Sequence, residues 1–158
     1  RRVLTALLSR PTSRGMLQKV AASKDFTATW GTKSITSRAK IAMDDKNGKP
    51  PSITFGTTTP QGSHKTGSWV ASGADVKLDL SMVAERHSDR TGTTTGAHEL
   101  SHLMTLFGGS SLKEFQAGDL PTPETGPAAQ AGKAMAQEAP DMSAKDATLL
   151  LDQLLKGD

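Results

Sequence analysis

The chain has 158 residues, 19 Lys and Arg against 16 Asp and Glu, a formal net charge of +3 and no Cys. This length suits one domain, and the lack of Cys excludes disulfides, thiol chemistry and thiolate metal ligands. The small basic excess comes without an aromatic-interleaved basic patch, so no nucleic-acid partner is expected. No apolar stretch approaches the length of a transmembrane helix, so no membrane partner is expected.

The N-terminal region predicts two short helices, at residues 1–9 and 13–23, separated by Pro11 and with Ser13 as the cap of the second. The apolar run at residues 3–8 is too short for the hydrophobic region of a signal peptide. Because the chain begins with Arg1 and has no initiator Met, we expect an excised domain or a processed fragment, and an upstream secretion signal stays an open alternative.

Strand patterns follow at residues 26–30, 40–43 and 52–55, the last two joined through a turn at 47–48, where Asn-Gly is a strong hairpin signal. Residues 56–68 have the composition of a turn or loop throughout, so we expect a surface loop there.

Residues 74–82 alternate between apolar and polar side chains and give the strongest strand pattern in the chain. The strand lies just before the helix described next. It is therefore a candidate edge strand that binds a substrate backbone by β-augmentation, with an ordinary half-exposed strand as the alternative.

The pentapeptide His98-Glu99-Leu100-Ser101-His102 matches H-E-x-x-H, a zinc signature of metallopeptidases. On a helix, positions i and i+4 share a face, so His98 and His102 can bind one Zn²⁺ while Glu99 points to its open coordination position. Zinc would activate a water molecule, and Glu99 would act as general base and later return the proton to the leaving amine.

The flanking sequence predicts a helix for this motif. Residues 93–107 lack Pro, Thr94 or Thr95 could cap the N-terminus, and Gly108-Gly109 provides the stop. Leu100, Leu103, Met104 and Phe107 form a core-facing stripe with the spacing i, i+3, i+4, i+7.

The region after Gly109 predicts a short helix at 112–117, a Pro-rich turn at 119–127, an Ala-rich helix at 128–138 and a last helix opened by Ser143. The last helix has a broad face of Leu residues, typical of a core or docking helix.

A third protein ligand is needed, and the pentapeptide lacks the downstream His of metzincins. A downstream carboxylate is therefore expected. The candidates are Glu114, Asp119, Glu124, Glu138 and Asp141. Glu124 is preferred because Pro-Glu before the Ala-rich helix places it near a helix entrance; Glu138 comes second and Glu114 third.

Two supporting roles stay open. With no Tyr in the chain, the candidates for stabilising the oxyanion are His64, Arg86, His87 and Arg90. The candidate acceptors for the second nitrogen of the His ligands are Asp75, Asp79 and Asp119.

The segment Ala97-His98-Glu99-Leu100-Ser101-His102-Leu103 followed by Gly108-Gly109, with residues 8–15 and the alternating strand upstream, resembles the small zinc endopeptidases among bacterial type III effectors and related toxin domains. The resemblance spans about residues 8–110. The expected site is gluzincin-like, because its third ligand is a carboxylate. It implies a zincin-like fold, secretion or translocation into a host cell, a role in virulence, and cleavage of a host signalling protein.

The fold class predicted is α+β: one zincin-like, monomeric domain over residues 1–158. Its parts are an N-terminal helical layer at 1–25, a small mixed sheet at 26–82, the metal helix at 91–107 and C-terminal helices at 111–158. The predicted function is a zinc-dependent endopeptidase that acts on a protein or peptide substrate. The alternatives are a non-catalytic protein-binding domain on a degenerate zincin scaffold, and a bacterial cytosolic metal hydrolase.

Overall fold

The computed structural model of the chain describes residues 1–32, 56–78 and 92–156, and the structural statements below refer to these residues. The strands predicted at 40–43 and 52–55, the turn at 47–48, and the end of the strand predicted at 74–82 lie outside them.

The two predicted N-terminal helices are confirmed as α1, Arg2–Leu8, and α2, Pro11–Ala22. Pro11 occupies the start of α2, where its missing N–H costs nothing because the first amides of a helix have no intrahelical partner. The prediction that Ser13 caps α2 was wrong: its buried hydroxyl donates to the Leu7 carbonyl at the end of α1. Ser13 thereby links the two helices.

Three strands form one mixed sheet: β1, Thr27–Thr32, β2, Gly56–Lys65, and β3, Ser68–Leu78. The order is β1-β3-β2, with β1 parallel and β2 antiparallel to the central β3. Val76, fully buried, lies opposite Trp30 of β1 and Thr58 of β2. Since side chains on paired positions share a face, Thr58 lies on the core face of the sheet.

The prediction of a loop at 56–68 was wrong, because most of this segment is β2. Thr66 and Gly67 have φ angles of 48° and 79° and connect the paired residues Lys65 and Ser68. A two-residue turn with positive φ at both positions matches the right-handed twist of a hairpin. The Gly- and Thr-rich composition therefore belongs to a hairpin rather than a loop.

The expected edge strand at 74–82 is also placed differently. Over residues 73–78, β3 pairs with β1 on one side and with β2 on the other. Both rows of backbone hydrogen-bonding groups are used there, so this part of β3 cannot accept a substrate strand.

The helix predicted at residues 91–107 is confirmed as α3, Gly92–Phe107. Thr94 and Thr95 lie within it, so the prediction that either caps it was wrong. At its end, the amide of Ser110 donates to Thr105 O at 3.2 Å and that of Gly109 to Leu106 O at 3.0 Å, with Gly109 at φ 85°. This is a Schellman termination, and it confirms the Gly-Gly stop.

Helix α3 is the centre of the packing. Leu100 and Leu103 are fully buried in the core, and Met104 and Phe107 pack against it. The core-facing stripe predicted from the sequence is therefore confirmed. Phe107 also meets Phe26 edge to face, with ring centroids 5.4 Å apart.

Three further helices complete the described structure: α4, Leu112–Ala117, α5, Pro127–Gln137, and α6, Ala144–Lys156. The predicted cap of α6 is confirmed, since the amide of Asp146 donates to Ser143 Oγ at 3.1 Å. The predicted α+β class holds for the described residues, which form six helices and one mixed three-stranded sheet. Across residues 1–32, 56–78 and 92–156, none of the helices has the length and apolar character needed to span a bilayer.

Candidate metal centre

Two imidazoles on α3 converge on one carboxylate oxygen. Nε2 of His102 lies 2.8 Å, and Nε2 of His98 3.1 Å, from Oδ1 of Asp119. The two rings are neighbours on one face of the helix, with centroids 5.0 Å apart, as the i, i+4 spacing requires. The Nε2 atoms of both rings therefore point to a common place beside α3.

Asp119 reaches this place because the chain reverses after α4. The amide of Asp119 donates to Gln116 O at 3.2 Å, and the amide of Ala128, in α5, donates to Gly118 O at 2.9 Å. A Cβ on Gly126 would lie 2.5 Å from Gly118 O, so the return of the chain depends on a small residue there. The loop between these helices contains a cis peptide bond at Leu120-Pro121.

His102 is enclosed more tightly than His98. Its side chain is 5% exposed, against 15% for His98 and 41% for Asp119. The ring of Phe115 lies beside that of His102, with centroids 5.0 Å apart. A Cβ on Gly118 would lie 3.0 Å from His102 Cε1, so the backbone of Gly118 forms one wall of the imidazole's space. The cluster of His98, His102 and Asp119 is therefore buried at His102 and open to solvent at Asp119.

Glu99 is buried beside the two imidazoles, at 5% exposure. Burial raises the pKa of its carboxyl group, while the hydrogen bond from the Thr58 hydroxyl and the neighbouring imidazoles of His98 and His102 lower it. The Thr58 hydroxyl donates to Glu99 Oε2. The carboxylate of Glu99 is therefore held in one orientation by the neighbouring strand.

His98, His102 and Asp119 form a group that could hold a metal ion, because one ligand atom from each lies within 4.8 Å of the others. Bonds of about 2.0–2.1 Å in tetrahedral geometry place the ligand atoms of zinc about 3.3 Å apart. The observed separations of 2.8 and 3.1 Å from Oδ1 are close to that value. The donor set and its spacing therefore fit a small divalent cation.

The structure brings His98, Glu99 and His102 together as the pentapeptide predicts, but it puts Asp119 rather than Glu124 at the third position. Glu124 is exposed, in the turn that leads to α5. The carboxylate of Glu138 accepts hydrogen bonds from Thr12, and that of Glu114 from Ser111.

The sequence offers Asp119 both as one of several candidate third ligands and as a candidate partner for the second nitrogen of the His ligands, but no local pattern marks it above the other acids. Its position depends on how the chain turns after α4. The one local signal that precedes it is Gly118, the residue that lets the backbone lie against His102.

Of the supporting residues proposed from the sequence, Asp119 lies at this centre and contacts Nε2 of both imidazoles, whereas His64 and Asp75 lie elsewhere. His64 lies on β2 opposite Trp69, six residues and therefore about 20 Å along the strand from Thr58. Asp75 bonds to Thr29 and Gln61 on the outer face of the sheet. Arg86, His87, Arg90 and Asp79 lie outside the described residues.

No protein-family model, curated protein or solved structure matches this chain. What the fold and the site define is a class: an α+β protein in which one helix, with a loop returning over it, presents a two-His, one-Asp group beside a buried glutamate.

Proposed function

We propose that this chain is a zinc-dependent peptidase domain. The observation that carries the proposal is the convergence of His98 Nε2 and His102 Nε2 on Asp119 Oδ1, at 3.1 and 2.8 Å, directly beside the buried Glu99. Two imidazoles, one carboxylate and a neighbouring general base are the parts that H-E-x-x-H hydrolases use.

The choice of zinc rests on the donor set. Two neutral imidazoles and one carboxylate are typical of catalytic zinc sites with three protein ligands and an open fourth position. Bound here, zinc would supply Lewis-acid chemistry, polarising a substrate carbonyl and lowering the pKa of a water molecule. Because Asp119 is exposed on one side, a substrate carbonyl and a water molecule can both reach the site.

Glu99 is proposed as the general base. Its burial raises the pKa of the carboxyl group, which brings it closer to the operating pH and makes it a better proton acceptor than an exposed glutamate. It would take the proton from the attacking water and deliver it to the leaving amine. His98 and His102 would hold the cation, and Asp119 would close the ligand set.

The zincin-like fold, the host-protein substrate and the effector or toxin role are proposed from the resemblance to small zinc endopeptidases. A zincin-like arrangement is supported by the packing of α3, the helix that carries His98 and His102, against β2 and β3. A protein substrate in a host cell, and an effector or toxin role, are supported by the pentapeptide and its flanking residues.

The test combines metal content with activity. Native mass spectrometry after zinc supplementation should find one zinc per chain, and the wild-type protein should cleave members of a quenched fluorescent peptide library. Glu99→Gln should keep the zinc and lose activity by about 100-fold or more, since the amide cannot accept a proton. A protein without bound zinc, or a Glu99→Gln variant that cleaves at the wild-type rate, would contradict the proposal.

A further inference from the structure

The Thr58 hydroxyl is the polar group of β2 that faces α3. Thr58 lies on the core face of the sheet, opposite the fully buried Val76. The face is otherwise suited to apolar side chains, and the half-buried Thr58 hydroxyl finds its hydrogen-bond partner inside the protein. Its partner is on the helix that carries the metal-binding pentapeptide.

The contact is with the general base itself. Thr58 Oγ1 donates to Glu99 Oε2 and lies 3.4 Å from the backbone O of Glu99. A hydroxyl has a single proton to donate, and the carboxylate oxygen is the nearer and more strongly accepting of the two. Thr58 therefore holds the carboxylate group rather than the helix backbone.

The same strand also confines the rest of the Glu99 side chain. A Cβ placed on Gly56, two residues before Thr58, would lie 3.1 Å from Glu99 Cγ and 3.2 Å from Thr95 Cγ2. The backbone of β2 thus lies directly against the middle of the Glu99 side chain, and the Thr58 hydroxyl holds its end. Together they restrict the carboxylate to one rotamer.

From this geometry we propose that Thr58 is a positioning residue for Glu99: its hydroxyl holds the carboxylate where it can accept the proton from the attacking water. The inference rests on the proposed peptidase function. Within the residues that the structure describes, Thr58 has no hydrogen bond to His98, His102 or Asp119, so its role is in proton transfer and not in metal binding. A catalytic base must be held within a fraction of an ångström of its productive position, and a neighbouring hydrogen bond is a common means.

The experiment compares Thr58→Val, which keeps the shape and removes the donor, with Thr58→Ser, which keeps the donor. With a single peptide chosen from the library, Thr58→Val should lower kcat by about tenfold or more with KM and zinc affinity near wild type. Thr58→Ser should restore kcat to within about threefold of wild type. Thr59→Val, on the exposed outer face of the same strand, is the matched control and should not change kcat.

A second measurement, by NMR, does not depend on peptidase activity. In zinc-free protein labelled with ¹³C at the glutamate carboxyl carbon, the Glu99 resonance is identified by its loss in Glu99→Gln. That resonance should shift in Thr58→Val, return in Thr58→Ser and stay in place in Thr59→Val.

The outcomes separate the two proposals. If the wild-type protein binds zinc and cleaves peptide while Thr58→Val is equally active, or Thr58→Ser is as impaired as Thr58→Val, the positioning role is overturned and the peptidase function stands. If the wild-type protein binds no zinc or cleaves nothing, the function fails and the positioning role fails with it.

Discussion

Asp119 is the residue on which the candidate metal centre depends most. Its Oδ1 atom lies within hydrogen-bonding distance of two imidazole nitrogens, although Asp119 is 17 residues from the nearer of the two in sequence. The contact exists because α4 ends at Ala117 and the chain turns back at once, with Gly118 against His102. A carboxylate further along the turn, such as Glu124, is carried past this position before α5 begins.

The first prediction is that Asp119, and not Glu124, closes the ligand set. Asp119→Ala should weaken zinc affinity by about tenfold or more, because two imidazoles alone leave the cation short of protein donors. Glu124→Ala, which removes an acid from the same turn, is the matched control and should leave affinity near wild type. Competition with a zinc chelator measures both. Weakening confined to Glu124→Ala would return the assignment to that residue.

Gly118 gives a second prediction at the same scale. A Cβ at this position would lie 3.0 Å from Cε1 and 3.2 Å from Nδ1 of the His102 ring, and 3.2 Å from the Phe115 carbonyl oxygen. Because Phe115 encloses the ring on another side, the imidazole has little room to move away. Gly118→Ala should therefore displace His102 and lower zinc affinity by about tenfold.

The control for this substitution is Gly109→Ala, which lies beyond the end of α3 and has no atom within 4 Å of its added Cβ. Its positive φ of 85° makes the substitution locally strained, so it should lower stability without lowering zinc affinity. Equal zinc affinity in Gly118→Ala and wild type would show that the ring is not confined by this backbone.

At the scale of elements, α3 and α5 lie unusually close together. A Cβ on Gly132 of α5 would be 2.7 Å from the amide nitrogen and 2.8 Å from the Cα of His98. Close packing against α5 fixes the helix segment that carries His98. The apolar stripe of α3 secures its other face, with Leu100 and Leu103 fully buried.

Gly132→Ala should therefore destabilise the protein. Forcing a methyl group into this contact costs about 1–3 kcal/mol, which for a chain of this size lowers Tm by roughly 3–10 °C. The same change at Gly15, within α2, meets no atom within 4 Å, and there the better helix propensity of Ala should raise Tm. Thermal melts of both variants give the comparison, and a Gly132→Ala variant as stable as wild type would contradict the close contact.

The elements that could be predicted from the sequence are those whose signals are local. The spacing of His98 and His102, the Gly108-Gly109 stop and the Ser143 cap each act within a few residues, and each is found as predicted. β2 was missed because Gly, Thr and Pro are as typical of loops as of an edge strand, and the Thr66-Gly67 turn has no Asn-Gly signature. Asp119 could not be ranked above the other acids, and Thr58 could not be found, because their contacts depend on tertiary packing across 17 to 41 residues of chain.

At the scale of the whole molecule, the N-terminal helices are held to the C-terminal half by polar contacts. The carboxylate of Glu138, at the end of α5, accepts hydrogen bonds from the amide of Thr12 at 2.7 Å and from its hydroxyl at 2.6 Å. Arg14 pairs with Asp141 at 2.6 Å, and the amide of Asp141 donates to Ser9 O at 2.9 Å. Glu138 also places a negative charge at the N-terminus of α2, where the helix dipole favours it.

These contacts have a definite pH dependence. Hydrogen bonds from the Thr12 hydroxyl and amide lower the pKa of Glu138, and the hydrogen bond and charge of Arg14 lower that of Asp141. A carboxyl group with a lowered folded-state pKa stabilises the fold fully above its ordinary value, about 4, and loses that contribution as the pH falls through the folded-state value. Glu99 acts in the opposite sense, since burial raises its pKa and protonation favours the folded state.

The last prediction measures the contribution of Glu138 separately from the opposite pH dependence of Glu99. Glu138→Gln removes the charge while keeping the size of the side chain, so zinc-free protein should melt at a lower temperature than wild type at pH 7. As the pH falls below about 4, the wild-type protein loses the Glu138 contribution and the variant has none to lose, so the two Tm values should converge. Glu99 is present in both proteins, and the difference between them cancels its effect.

Thr12→Val, which removes the hydroxyl and keeps the amide, should show a smaller loss of Tm at pH 7 with the same convergence at low pH. A Tm difference that stayed constant from pH 7 to pH 3 would mean that the ionised carboxylate of Glu138 does not secure α2 to the end of α5.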